Sequence, residues 1–141
     1  MEIRKLWFQD WSDAYSLWKN CEGVSLREID DSQKGFESFI KRNPDTCFAA
    51  FDDNCVLCAT ILVGNDGRRG YIYHLAVAEK YRNKGIGSQL LEKAINALGK
   101  CGIRKAALVV FSHNETGNEF WEKHGFKVRK DLIYRDMVLN L

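Results

Sequence analysis

One stretch restricts this chain more than any other. From Gly85 onward, Ile86, Leu90, Leu91, Ala94, Ile95 and Leu98 repeat at the spacing of a single helical face, and the helix they predict opens on Gly85-Ile86-Gly87. A strand expected to end at Val77, a short connection and a glycine pair at the helix start would leave the first backbone N–H groups unpaired and facing outward. Such a place attracts anions. Glycines let a phosphate approach the backbone where a Cβ would block it, and Arg82 and Lys84 raise the local positive potential, so a diphosphate suits the turn. The competing reading is a helix start whose glycines serve tight packing.

Two phosphate loops are excluded at specific positions. A Walker loop needs Gly-Lys followed by Ser or Thr, but here Lys84 precedes Gly85. The dinucleotide fingerprint needs a third glycine where Leu90 stands, and an acidic residue about twenty positions on, where the chain reads RKAALVV.

The rest of the pattern frames that turn. Ile3 to Phe8 suggests a first strand; Asp10 or Ser12 can cap a helix with Ala14, Leu17 and Trp18 inward. Asp30, Asp31 and Ser32 mark a second helix start. Runs 46–51, 56–63 and 71–77 read as three strands of an antiparallel meander. Run 105–111 reads as a short buried strand, Asn114 as the cap of a last helix ending at Gly125, and 126–128 and 132–139 as two closing strands. With 141 residues and neither a linker nor a repeat, the expectation is one α/β domain, 1–141, with a mixed central sheet.

A net charge of +2 argues against nucleic acid as a partner, and the longest apolar run, Cys55 to Val63, is far too short to span a bilayer. Five scattered cysteines make no disulfide framework, and a reducing cytoplasm is the expected location. Cys55 and Cys58 lack a second pair, and His74, His113 and His124 lack zinc spacing, so no metal is expected.

What remains is Arg82-x-x-Gly85-x-Gly87, preceded by HLAVAEKY and followed about thirty residues later by NETGNEFWEKHGF. This combination resembles the GCN5-related N-acetyltransferase (GNAT) family over nearly the whole chain. The resemblance implies a single-domain fold with a splayed strand pair and helices on both faces of the sheet. It implies a cytoplasmic acyl-CoA-dependent enzyme, with acetyl-CoA as co-substrate and an amine as acceptor. It places the donor's pyrophosphate on the N–H groups of Asn83, Lys84, Gly85, Ile86, Gly87 and Ser88, with Arg82 beside them. It further implies that Leu75, Ala76 and Val77 hold the pantetheine arm through their main chain, with Asn114 near it. Sequence leaves a homodimer open and does not name the acceptor.

Acetyl transfer to an amine needs a neutral nucleophile, a steadied oxyanion and a proton for the departing thiolate. Trp121 stands where relatives commonly have tyrosine, and Val109 where some carry a glutamate base. His74 is the candidate base, on the expected cofactor strand and of a residue type that titrates near neutrality; its alternative is a packed strand histidine. Tyr134 is the candidate acid, with Tyr73 and Tyr81 behind it. Glu28, Asp30 and Asp31 could draw a cationic amine or, for the two aspartates, simply cap a helix. Arg68 and Arg69 could grip an anion or be solvated. Trp7, Trp11, Trp18 and Phe36 could line an acceptor pocket or be core. The rival to an enzyme is an inactive CoA-binding sensor or interaction module, motivated by Trp121 and Val109.

Overall fold

In the computed structural model, which describes residues 1–140, the meander forms and grows by a strand at each edge. Strands β1 (Glu2–Lys5), β2 (Phe48–Phe51), β3 (Leu57–Asn65) and β4 (Gly70–Val77) pair antiparallel in that order, and β5 (Ala106–Ala107) joins β4 in parallel. A parallel pair needs a crossover, and the long helix α4 (Ile86–Lys100) supplies it.

Strand alternation gives the sheet two apolar faces. Ala49, Phe51, Leu62 and Ala76 point to one, where they bury Trp18 and Leu17 of α1 (Trp11–Lys19) and Phe36 and Ile40 of α3 (Gln33–Arg42). Helix α4 covers the other with Ile86, Leu90, Leu91, Ala94 and Leu98, all buried. Helices therefore lie on both faces. Gly70 faces α4, where an added Cβ would come within 2.7 Å of a Leu98 methyl and push that side chain aside.

A short helix α2 (Glu28–Asp31) precedes α3. The expected cap of α3 resolves to Ser32, whose Oγ accepts from the Gly35 N–H at 3.2 Å; Asp31 does not cap it. The backbone of α2 rests directly on α3. A Cβ at Gly35 would come within 2.5 Å of the Asp30 carbonyl oxygen and closer still to that of Ile29.

The chain divides into two compact units, Met1–Val109 and the residues from Val110 onward. In the second, α5 (Glu115–Lys123) begins where Asn114 Oδ1 accepts from the Gly117 N–H at 2.9 Å, and ends at Gly125 with φ +89°. Three expectations are corrected. The first strand stops at Lys5, and Phe8–Asp10 forms a 3-10 turn held by Asp10 Oδ2, which accepts from Trp7 N–H (2.7 Å) and pairs with Arg4 (2.8 Å). Strand β5 is two residues rather than seven. Among the described residues no strand forms over 126–128 or 132–139, which turn at Lys130–Asp131. A run such as Leu132-Ile133-Tyr134 has strand composition, but a strand exists only with a ladder partner, and composition cannot supply one.

Candidate active site

Helix α4 opens as the glycine pattern requires. Gly85 occupies the N-cap position at φ +79°, ψ 7°, and no side chain caps the helix there. The Gln89 N–H returns to the Gly85 carbonyl at 3.1 Å. Asn83 is also left-handed, at φ +61°, and left-handed residues in a turn are a usual component of anion-binding nests. A Cβ at Gly85 would meet nothing within 4 Å, so glycine is needed for conformation and the space above it is open. Asn83, Lys84 and Gly85 are exposed. Arg82 is fixed by donating from Nε to the Val77 carbonyl at 2.9 Å. Open space, bare amides and two cations together fit a diphosphate.

The segment entering this turn is tethered to the sheet. The Tyr81 hydroxyl donates to Asp52 Oδ2, and Lys80 and Lys84 lie 5.1 and 5.7 Å from the Tyr81 ring centre. The hydrogen bond to Tyr81, with backbone N–H bonds adding to it, holds Asp52 below the ordinary carboxylate value of 3.8; the same bond pushes the Tyr81 phenol up from 10.0 to about 12. A depressed carboxylate stabilises the fold above its unfolded value and stops doing so as pH falls through the folded one. A raised phenol stabilises below its unfolded value and stops as pH rises through the folded one. The tether is thus at full strength between 3.8 and 10.0. Melting wild type and Tyr81→Phe across pH should show a constant gap inside that window, closing at both ends.

Strand β4 carries the second part of the site. It pairs with β5 only at Gly70 and Tyr71, so from Ile72 to Val77 its outer edge lies outside that ladder, and this is the splayed pair. On its inner edge Tyr73 faces Leu62 and Ala76 faces Thr60, which leaves His74 and Leu75 opposite Ile61 alone. This is a bulge. In unbroken alternation His74 would point toward α4. The extra residue, with His74 at φ +45°, turns the imidazole to the α1 side, where its centre lies 4.7 Å from that of Trp18.

There His74 Nε2 meets Asp31 Oδ1 at 2.6 Å, with the two side chains only 13% and 8% exposed. Asp31 Oδ2 accepts from the Arg27 N–H at 2.8 Å, and the Asp31 carbonyl accepts from Trp11 Nε1 at 2.9 Å. The His74 carbonyl accepts from Thr60 Oγ1 at 3.0 Å, and Thr60 Oγ1 accepts from Trp18 Nε1 at 2.9 Å, both of the latter residues being fully buried. A non-glycine residue at positive φ costs roughly 1–3 kcal/mol and persists only where its surroundings over-determine it, as these bonds do. Thr60→Val keeps the shape but orphans the Trp18 N–H and the His74 carbonyl. It should cost about 2–4 kcal/mol of stability in a denaturant titration.

Sequence reasoning missed the partner. Asp31 was expected to cap a helix or attract an amine, whereas its carboxylate is committed to His74 and Arg27. The available signal was Thr60, a polar residue inside the apolar run CATILV, which announces a buried hydrogen-bond network without saying whose. Asp30 pairs with Arg27 at 3.4 Å, and Glu28 is exposed. Arg68 and Arg69 sit in the β3–β4 turn, each donating its backbone N–H to Asp66 Oδ1 at 2.8 Å, and are exposed. Trp18 and Phe36 are core, Trp11 is half-buried, and Trp7 is 57% exposed. Tyr73, on the α3 side, meets the edge of Phe39 at 5.8 Å.

In the second unit Asn114 Oδ1 is spent on its helix cap, Tyr134 is 65% exposed, and Val109, the last residue of the first unit, is 59% exposed. Trp121 packs edge-on against Phe126 at 5.2 Å. Cys21, Cys47 and Cys58 are buried and Cys55 and Cys101 exposed; burial pushes the Cys47 thiol up to about 12. Among the described residues no cluster of His, Cys, Asp and Glu is arranged to hold a metal, and no helix is long and apolar enough to cross a membrane.

A β4–β5 ladder that ends at Tyr71, a bulge carrying a histidine and an uncapped glycine turn are the features that the resemblance to an acetyltransferase class leads one to expect. Residues 5–126 match the model of the Acetyltransferase (GNAT) family, and the chain belongs to that family of N-acetyltransferases. It is 29% identical over 133 residues to "Acetyltransferase SG1711" of Sodalis glossinidius (strain morsitans), covering 94% of this chain and 92% of that one. The fold is shared with the PaiA N-acetyltransferase of Thermoplasma acidophilum in complex with coenzyme A (24% identity, TM-score 0.80, covering 91% of this chain and 90% of that one). It is also shared with an acetyltransferase of Clostridium acetobutylicum with acetyl-CoA (20% identity, TM-score 0.73, covering 96% and 95%).

Proposed function

We propose that residues 1–141 act as one N-acetyltransferase domain that moves an acetyl group from acetyl-CoA to a primary amine by direct attack on the thioester. The observation that carries this is the pairing of the bare α4 N-terminus with the open β4 edge, next to a histidine whose ring is already held. The relatives with coenzyme A or acetyl-CoA support the choice of donor. The amides from Asn83 to Ser88, with Arg82 and Lys84, would take the pyrophosphate; the main chain of Leu75, Ala76 and Val77 would take the pantetheine arm.

In the reaction a C–N bond forms, the C–S bond breaks, and the amine's proton passes in net to the thiolate. A lysine-like amine near pKa 10.4 needs about 4–5 kcal/mol to be neutral at pH 7, so a base at hand matters. His74 is assigned that role. A backbone N–H near Val77 would steady the oxyanion, a contribution of roughly 3 kcal/mol where one such donor has been removed elsewhere. Tyr134 is the candidate acid for the thiolate, and Tyr134→Phe with full activity would remove it.

The test is free-thiol release from acetyl-CoA by the purified chain with a panel of alkylamines, aminosugars and peptide α- and ε-amines. Release with at least one class is expected. Binding of acetyl-CoA without release by any amine would favour the inactive CoA-binding module that Trp121 and Val109 suggest.

A further inference from the structure

We propose that Asp31 is the positioning residue of the active site: it fixes the imidazole of His74 as the Nε2–H tautomer and thereby makes Nδ1 the proton acceptor. This rests on the reading of His74 as base, and deepens it.

Three observations carry it. First, both carboxylate oxygens of Asp31 act as acceptors, one from the Arg27 N–H and the other facing His74 Nε2 at 2.6 Å. A carboxylate accepts, so the facing ring nitrogen must bear the proton, and in a neutral imidazole the lone pair is then on Nδ1. Second, Nδ1 is available. Among the described residues nothing partners it, and no side-chain nitrogen or oxygen is both buried and unpartnered, so Nδ1 keeps access to solvent. Third, the pair is held in place from several sides. Trp18 lies against the ring, Thr60 holds the His74 carbonyl, Trp11 holds the Asp31 carbonyl, and Gly35 lets α2 lie close enough to α3 to present Asp31.

The arrangement has the logic of a base oriented by an acid that never takes the proton itself. The acid comes from α2, on the face of the sheet covered by α1 and α3, and the base from the bulge of β4. A dyad of this origin also accounts for the absence of a glutamate where Val109 stands: the proton acceptor sits on the donor strand and is oriented from α2.

The experiment uses the full chain labelled with 15N at histidine. The chain has three histidines, and the signal surviving in His113→Gln/His124→Gln belongs to His74. Neutral His74 should show a protonated Nε2 coupled to a slowly exchanging proton, and an unprotonated Nδ1. A signal showing the Nδ1–H form would overturn the proposal without any change at the dyad. In Asp31→Asn the tautomer preference should weaken or invert, and kcat should fall roughly 100-fold or more, with the KM for acetyl-CoA changed by no more than about threefold. Asp31→Glu should recover part of the rate. Unchanged kcat in a folded Asp31→Asn would overturn the proposal. If wild type releases thiol with no amine, the enzymatic reading fails, yet the wild-type tautomer still decides whether Asp31 sets the ring.

Discussion

His74→Gln should retain the fold and the affinity for acetyl-CoA while losing a factor of about 10²–10⁴ in kcat, the usual contribution of a positioned base. Glutamine can still donate an amide N–H toward Asp31, so the carboxylate, only 8% exposed, is not abandoned. His74→Ala would abandon it and destabilise the chain as well. The alanine variant carries its own diagnostic, because removing the ring empties the space between Trp18 and Asp31 and added imidazole should restore part of the rate. A glutamine variant with wild-type kcat would return His74 to a structural role.

Gly85→Val should be the most damaging change at the donor site. A β-branched residue at φ +79° costs about 1–2 kcal/mol in backbone conformation alone, and the cheapest relief is to rotate the helix start. That rotation redirects the amides of Gly85, Ile86 and Gly87. A loss of 1.4 kcal/mol is tenfold in affinity, so the Kd for acetyl-CoA should rise by about tenfold or more, whereas the core is disturbed only at Ile86, the first buried residue of α4. Equilibrium binding measured beside a thermal melt separates the two effects: the melt should move modestly and the affinity strongly.

Much of this was written in local sequence. The face of α4, its glycine opening and the cap at Asn114 each depend on residues within a few positions of one another, and each formed as expected. What depends on distant partners was not legible. The strands expected at 126–128 and 132–139 had the right composition, but composition cannot guarantee a neighbour to pair with. Asp31 and His74 are 43 positions apart, and they meet only because a bulge in β4 turns one residue through the sheet and Gly35 admits a short helix against another. The sequence named both residues as candidates and could not bring them together. Cys55 and Cys58 show the converse: close in sequence, they part because Cys55 sits exposed in a turn at φ +62° and Cys58 is buried in β3.

The central claim is that backbone amides at the Asn83–Ser88 bend hold the diphosphate of an acyl-CoA. Titrating acetyl-CoA into the wild-type chain in a calorimeter tests it most directly. A saturable heat, shared by coenzyme A and lost on removal of the pyrophosphate portion, is the expected result. No heat at saturating acetyl-CoA, or equal affinity for a pantetheine fragment lacking the diphosphate, would contradict the account.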